Sequence, residues 1–358
     1  MRRVLILGGN RWLGARIAAL LVAAGDEVVC LCRQATDLVP PGARLILADR
    51  TRPGAYADAT GDWDEVVCLC RQATDLVPPG ARLILADRTR PGAYADATGD
   101  WDEVVELAYA PEVATSALTA LAGRAAHWTL ISSVSVYARN DEVGADESAA
   151  LVEPVDLEDY AQAKVAAERV SASVLGDRLL IVRPGLIAGP GDPSDRFGYW
   201  PARLAREGDA LTPAPAGRYV QVIDVDDLAA FVVHAGRHRL NTTINAVGDP
   251  IPFAVFLALT AAVTGFTGGL VAAADEWLVA QGVRYWMGER SLPLWLPGTE
   301  VGFARRGNSA YGAAGGTLSP LQRTIERVLR DERQRGLDRP RRSGLSANDE
   351  ADLLSRLR

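Results

Sequence analysis

The N-terminal unit constrains this chain most: an apolar strand, a turn rich in glycine, a helix and a second apolar strand. Val4 to Leu7 is short and apolar and runs into Gly8 and Gly9, Ala15 to Ala24 has helical composition, and Gly25 leads to Glu27-Val-Val-Cys-Leu-Cys32. Such a unit joins two parallel strands through a crossover helix. Further apolar strand runs follow at 44–48, 104–108, 128–131 and 179–182, with helical segments at 112–122 and 157–174. Apolar strands alternating with helices predict an α/β fold, a Rossmann-type doubly wound parallel sheet covered on both faces. After Pro184 the texture turns to Gly, Pro and Trp, which predicts a smaller C-terminal lobe over the strand ends, where ligands of such sheets sit. The division read from this is a dinucleotide-binding domain over 1–190, a mainly substrate-binding lobe over 191–345 and a tail over 346–358.

A perfect tandem copy interrupts the first half. Residues 26–63 recur letter for letter as residues 64–101, and Asp102-Glu-Val-Val105 begins a third pass before Glu106 departs. With one copy removed in thought, the chain reads as the ordinary first half of a dinucleotide-binding domain. Gly25 ties Asp26 to the first helix, so the first copy is expected to supply strand two with Arg33, and Glu103 onward to supply strand four. Strand three is open between Arg44 to Asp49 and Arg82 to Asp87. The extra length costs only about 1.4 kcal/mol in loop-closure entropy. The second copy is expected to pack on the edge beyond strand three or to be poorly ordered.

Composition removes several function classes. A net charge of -7 disfavours a nucleic-acid surface, which needs clustered cations to neutralise phosphates. The longest apolar stretches, such as Ile251 to Val263, are shorter than the roughly 20 residues that span a bilayer. The opening MRRVLILGGNRWLG is cut short by polar and glycine residues and lacks a cleavage site, so no signal peptide, no membrane and a cytoplasmic location are expected. Of the four cysteines, Cys30 and Cys32 recur as Cys68 and Cys70. The repeat explains this pairing better than a metal site does, since cysteines two apart on a strand share one face and pack as small apolar groups. His127, His234 and His238 stand in unrelated contexts and are expected at or near the surface, so no metal is expected.

Three motifs carry chemistry. In the turn Gly8-Gly9-Asn10-Arg11-Trp12-Leu13-Gly14, glycines let the backbone approach a pyrophosphate and the following helix offers unpaired N–H groups. Where an acid would hold the ribose hydroxyls of NAD stands Arg33, which with Arg11 can pair with the 2'-phosphate of NADP. NADP(H) is therefore favoured, with NAD(H) the alternative. In Tyr160-Ala-Gln-Ala-Lys164 the two end residues share a helix face, so the ammonium can lower the phenol pKa and let the tyrosine exchange a proton. Lys164 is the only lysine, every other basic residue counted with it being arginine. A lysine kept where arginine is otherwise used implies a role that a bulkier, permanently charged group cannot fill. Last, the strand Trp128 to Ile131 ends in Ser132-Ser133-Val134-Ser135-Val136-Tyr137, where a serine hydroxyl can meet a substrate oxygen.

The turn, the Leu107-Ala108-Tyr109 strand end, the serine stretch, Tyr160-x-x-x-Lys164 and Val182-Arg183-Pro184-Gly185 occur in the order and spacing of extended short-chain dehydrogenase/reductases, the NAD-dependent epimerase/dehydratase family, which the chain resembles over about residues 1 to 250. The resemblance implies an NAD(P)-dependent oxidoreductase that passes hydride between nicotinamide and a carbonyl or carbinol carbon of a small-molecule substrate. It places the catalytic serine on Ser133, the acid/base on Tyr160 and the ribose-binding, pKa-lowering role on Lys164. It implies cofactor contacts from Gly8, Asn10, Arg11, Trp12, Leu13, Gly14, Arg33, Asp49, Ala108, Lys164 and Pro184, and a homodimer. Asp192, Asp195, Arg196, Tyr199 and Trp200 fall where the substrate lobe begins and are candidates to meet a polar ligand or to form a structured loop. Departures from the family pattern are informative. Arg11 replaces the middle glycine. Val134 and Ser135 stand where 4,6-dehydratases carry Asp-Glu. Val220 stands where nucleotide-sugar epimerases carry a phosphate-binding arginine, with Arg218 two residues away. An epimerase with transient oxidation is the alternative, and a non-catalytic nucleotide-binding regulatory or RNA-binding protein a further one.

Overall fold

Strand β1 (Arg3–Leu7) is fully buried from Val4 to Leu7, as a near-continuous apolar strand at the centre of a parallel sheet must be. In the computed structural model, which describes residues 1–9, 11–32, 44–47, 67–70, 82–108 and 110–357, β1 is followed by α1 (Trp12–Ala23) and β2 (Glu27–Cys32). Helix α1 buries Leu13, Ile17, Ala18 and Leu21, the three-and-four spacing of one helix face. It ends where Gly25, at φ +80, turns the chain into β2. Next come β3 (Arg44–Leu47), β4 (Val67–Cys70), β5 (Arg82–Leu85), β6 (Glu103–Glu106), α2 (Pro111–Leu121), β7 (Trp128–Ile131), α3 (Tyr160–Leu175) and β8 (Leu179–Pro184).

The chain divides into two units. The first takes Met1–Ser132, Pro154–Ile181 and Val232–Thr242, the second Ser133–Glu153, Val182–Phe231 and Thr243–Arg358. The first unit's part of a seven-stranded sheet runs β5-β2-β1-β6-β7, followed by β8, of which residues 179–181 belong to this unit, with parallel pairing of β1 to β2 and β6, of β2 to β5 and of β6 to β7. With the duplication set aside, this is the 3-2-1-4-5-6 order of a Rossmann sheet. One core packs Leu5, Val29, Val104, Trp128 and Leu130 of the sheet against Leu118 and Leu121 of α2.

The two copies share the sheet between them. Strand two comes from the first copy and strand three, β5, from the second. Among the described residues, strands β3 and β4 pair with each other and with no other strand. Val29, Cys30, Leu31 and Cys32 face Arg82, Leu83, Ile84 and Leu85; Val67, Cys68, Leu69 and Cys70 face Arg44, Leu45, Ile46 and Leu47. The detached pair thus repeats the sheet edge in the same register with the copies crossed. The expectation that the second copy packs beyond strand three is corrected, because part of it is strand three. The downstream chain explains the choice: Tyr94, Ala97 and Trp101 are buried in the core beside β6, which commits the second copy to the edge. The place expected of Asp49 at the end of strand three falls to Asp87; Asp49 itself lies outside the described residues.

His127 is a second correction. It is 1% exposed, with Nε2 3.0 Å from the Leu240 carbonyl oxygen, near the buried Glu103 that accepts 2.8 Å from the Thr129 hydroxyl. The second unit has its own core, built on Phe197, Trp200, Phe253, Phe256, Trp295 and Ile325. The segment 346–358, expected as a tail, contains the helix Ala347–Leu357, whose Leu353 is buried and whose Glu350 pairs with the buried Arg203.

Candidate functional site

The glycine turn has no room for side chains. Gly8 sits at φ +103, open to glycine but costly for other residues, and its N–H donates to the Leu31 carbonyl at 2.9 Å. A Cβ on Gly9 would strike the Sγ of Cys30, and one on Gly14 the carbonyl oxygen of Gly8. Gly9 therefore answers to strand β2 and Gly14 to the turn itself, bringing the start of α1 close to the sheet. Arg11 is the N-cap residue, Trp12 and Leu13 open the helix, no side chain caps it, and its first turn carries no acid. Uncapped N–H groups at the positive end of a helix dipole suit an anion. Arg11 is exposed and no ion pair among the described residues engages it. Asn10, Arg33 and Tyr109 lie outside the described residues.

Lys164 is buried at the heart of the first unit. Its Nζ donates to the Ile131 carbonyl at 2.6 Å and to the Ala108 carbonyl at 3.3 Å, joining the ends of β7 and β6 through one cation. Burial lowers its pKa to about 8, partly offset by Glu106 and Glu168. One turn earlier, Tyr160 opens α3 and is half exposed, with the Lys164 Nζ 6.0 Å from its ring centroid. The helix starts here because Asp159 caps it, accepting 3.0 Å from the Gln162 N–H, as short acidic N-caps do. Among the described residues, two donor hydrogens of the ammonium are used.

Behind Lys164 stands a clamp that the sequence reading missed. Arg88 donates to Glu106 through both terminal nitrogens, one at 2.8 Å, and through Nε to the Tyr94 hydroxyl at 2.9 Å. Glu106 in turn accepts the Ala108 N–H at 2.7 Å, so the pair orients the peptide whose carbonyl meets Lys164. Burial opposes the charge on Arg88, but Glu106 outweighs it and holds the guanidinium above its ordinary value. The available signal was Glu106 itself, the residue at which the third pass of the repeat breaks off.

Ser133 belongs to the second unit. It is the N-cap of a short 3-10 turn over Val134–Val136, accepting from the Ser135 N–H and donating to the Ser135 hydroxyl, both at 3.1 Å. Nearby, Tyr137 donates to Asn245 at 2.6 Å and accepts from Arg183 at 3.1 Å, with the Arg306 guanidinium 4.6 Å from its ring centroid. Pro184 ends β8, and Gly185 follows where a Cβ would press on Val247.

The substrate candidates separate. Tyr199 and Trp200 are fully buried, and the Trp200 indole donates 2.8 Å to the Pro293 carbonyl, so both serve the core. Asp195 is buried and paired with Arg335 and Arg339, and Asp192 accepts from the Ser194 N–H and hydroxyl at 2.8 Å each. Both are committed to the loop. Arg196 also bonds within the loop, its Nε donating 3.2 Å to the Ser194 hydroxyl, and its guanidinium lies 5.3 Å from the Trp286 ring centroid. Arg218 is spent as well, donating to Ala214 at 2.9 Å, to the Leu296 carbonyl and to Asp275.

The sequence matches the NAD dependent epimerase/dehydratase family over residues 4–247. The chain belongs to this family. As a member of the NAD dependent epimerase/dehydratase family, it is a nicotinamide-dependent oxidoreductase of the extended short-chain type. The turn and the uncapped helix start fit the pyrophosphate of such a cofactor. The fold is similar to that of UDP-N-acetylglucosamine 4-epimerase from Bacillus cereus, at 12% identity and a TM-score of 0.64 over 96% of this chain and 100% of that one. It is also similar to UDP-glucuronic acid 4-epimerase from Bacillus cereus in complex with NAD, at 13% identity and a TM-score of 0.60 over 92% and 98%. RMD from Pseudomonas aeruginosa complexed with NADPH shares 18% identity and a TM-score of 0.58 over 93% and 100%. A search of curated proteins finds no match to the chain. Among the described residues, no helix is long and apolar enough to cross a membrane.

Proposed function

We propose that the protein is an NADP(H)-dependent reductase of carbonyl compounds, or the matching alcohol dehydrogenase, with Ser133, Tyr160 and Lys164 as its catalytic set. The observation that carries this is the chain's one lysine, buried, with two of its ammonium hydrogens committed among the described residues and a half-exposed tyrosine one helical turn before it. Bound nicotinamide supplies or accepts the hydride. Tyr160 gives a proton to the substrate oxygen or takes one from it, Ser133 donates a hydrogen bond to that oxygen, and Lys164 holds the cofactor ribose while its charge favours the tyrosinate. Exposed Arg11, with Arg33 in place of an acid, supports a 2'-phosphate. A homodimer is the assembly that the resemblance implies.

The second reading is a nucleotide-sugar epimerase, favoured by the similar structures that are UDP-sugar 4-epimerases. Cofactor stoichiometry separates the two, since a reductase consumes NADPH and an epimerase returns it each cycle. With a panel of ketones, aldehydes and UDP-sugars, we expect net NADPH consumption on a ketone. Tyr160→Phe should lower kcat by about 10²–10⁴-fold while leaving NADPH affinity nearly unchanged. Full turnover by Tyr160→Phe would remove the tyrosine from the mechanism. We expect NADPH to bind about tenfold tighter than NADH and Arg11→Ala to reduce that ratio; equal affinities would overturn the NADP(H) preference.

A further inference from the structure

Strand β6 ends at Glu106, and the two residues after it lead the chain out of the sheet ladder. The Leu107 N–H still donates to the Leu7 carbonyl at 3.3 Å, and the segment runs beside the glycine turn, where a Cβ on Gly8 would lie 3.6 Å from that of Leu107. The Ala108 N–H turns back instead and donates to Oε1 of Glu106 at 2.7 Å, the oxygen that also accepts Nη1 of Arg88 at 2.8 Å. The Ala108 carbonyl accepts from Nζ of Lys164 at 3.3 Å. A continuous line of hydrogen bonds thus joins the Tyr94 hydroxyl, Arg88, Glu106 and Ala108 to the ammonium, all within the first unit.

Stability alone does not account for two charges at this place. Arg88 and Glu106 are buried, and replacing a buried ion pair by well-packed apolar side chains is often neutral or stabilising. The repeat supplies a comparison within the chain. At the place of Glu106 its two complete passes carry Cys30 and Cys68, so the carboxylate occurs only in the pass whose strand leads to an acceptor of Lys164. A carboxylate offers there what a thiol does not, a strong acceptor with a fixed direction. Arg88 grips both of its oxygens in the planar fork that fixes such a pair. The arrangement stands at the carboxyl end of the parallel strands, where ligands of such sheets sit.

We propose that Arg88 and Glu106 are positioning residues for Lys164: gripped by Arg88, the Glu106 carboxylate fixes Ala108 by its N–H, and the carbonyl of Ala108, together with that of Ile131, fixes the direction of the ammonium. The proposal rests on the catalytic reading of Lys164. Burial disfavours the charged form of the lysine, and Glu106 from β6 and Glu168 from α3 act against it. Strand β7 contributes the Ile131 carbonyl, and α3 the Tyr160 ring.

The test separates the oxygen of residue 106 from its charge, using the full chain. Two charge-neutral pairs are compared: Arg88→Met with Glu106→Gln, which keeps an oxygen for the Ala108 N–H, and Arg88→Met with Glu106→Leu, which removes it. Lys164 is the only lysine, so lysine labelled with carbon-13 at Cε gives a single resonance whose titration in the cofactor-free protein reads this ammonium directly. We expect the lysine to titrate lower in the Leu pair than in the Gln pair, because its charged form loses a carbonyl acceptor. Calorimetry should show weaker NADPH binding by the Leu pair, and its kcat on the ketone that the wild type reduces fastest, measured below both midpoints, should be about 10²-fold lower than that of the Gln pair. Equal midpoints in the two pairs would overturn the proposal. Unequal midpoints with equal NADPH affinity and equal kcat would uphold the positioning and overturn the role given to Lys164. In the wild type, the Ala108 N–H should be protected from hydrogen exchange; exchange at the rate of an open amide would overturn the proposal even if the Leu pair fails to fold.

Discussion

At the scale of single residues, Lys164 is the most informative. Its uniqueness in the composition already marked it, and its burial between two carbonyl oxygens gives that mark a physical basis. A lysine whose folded pKa is near 8 against an ordinary 10.5 leaves the unfolded chain holding more protons between those values, so stability rises with pH across that window. We expect the stability of the wild type relative to Lys164→Met to rise by about 3 kcal/mol between pH 8 and pH 10.5, read from urea unfolding at a series of pH values. A flat difference would mean that the ammonium is better solvated than its surroundings indicate. The residues left open in the sequence between ligand contact and structured loop were undecided for a common reason. Tyr199, Trp200 and Asp195 have the composition of a polar binding loop, but whether an aromatic faces a ligand or a core, and whether an aspartate is free or paired, depends on partners such as Pro293 and Arg339 that stand far along the chain.

At the scale of elements, the central strands were legible because apolar runs and glycine turns are local. Strand one, helix one and strand two appear close to where the pattern predicts them, and α2 and α3 begin at Pro111 and Tyr160. Which copy fills strand three was not legible, since the candidates are identical and the choice is made by long-range contacts of the chain that follows. Arg88→Leu should therefore cost about 3–5 kcal/mol by leaving Glu106 charged and unpaired in the core. The same change at Arg50, its counterpart in the first copy, should stay within about 0.5 kcal/mol. Comparable losses from the two variants would show that both copies occupy the edge. Removing residues 33–70 or residues 64–101 yields the same shortened sequence. That chain should bind NADPH as the parent does and gain roughly 1.4 kcal/mol from its shorter connection; lost cofactor binding would show that the insert contributes to the site.

At the scale of the whole molecule, the two units interleave. The chain leaves the first at Ser133, returns at Pro154, leaves again at Val182 and comes back once more over Val232–Thr242. A linear boundary at residue 190 describes composition well and contacts less well, because return segments such as Val232–Thr242 have no compositional signature. Ser133 and Lys164, read from one motif series, belong to different units.

The detached β3 and β4 pair has a consequence for how the molecule reaches this arrangement. Strands two and three each have an identical rival within the same polypeptide, so a refolding chain meets several edge pairings of equal local quality, of which one agrees with the downstream contacts. Refolding of the full chain should show an added slow phase that is absent from the shortened chain in stopped-flow fluorescence; identical kinetics would mean that the downstream contacts form first and leave nothing to sort. The repeat then acts as a burden of degeneracy, a delay caused by the chain's own spare parts and not by any weakness in the final structure.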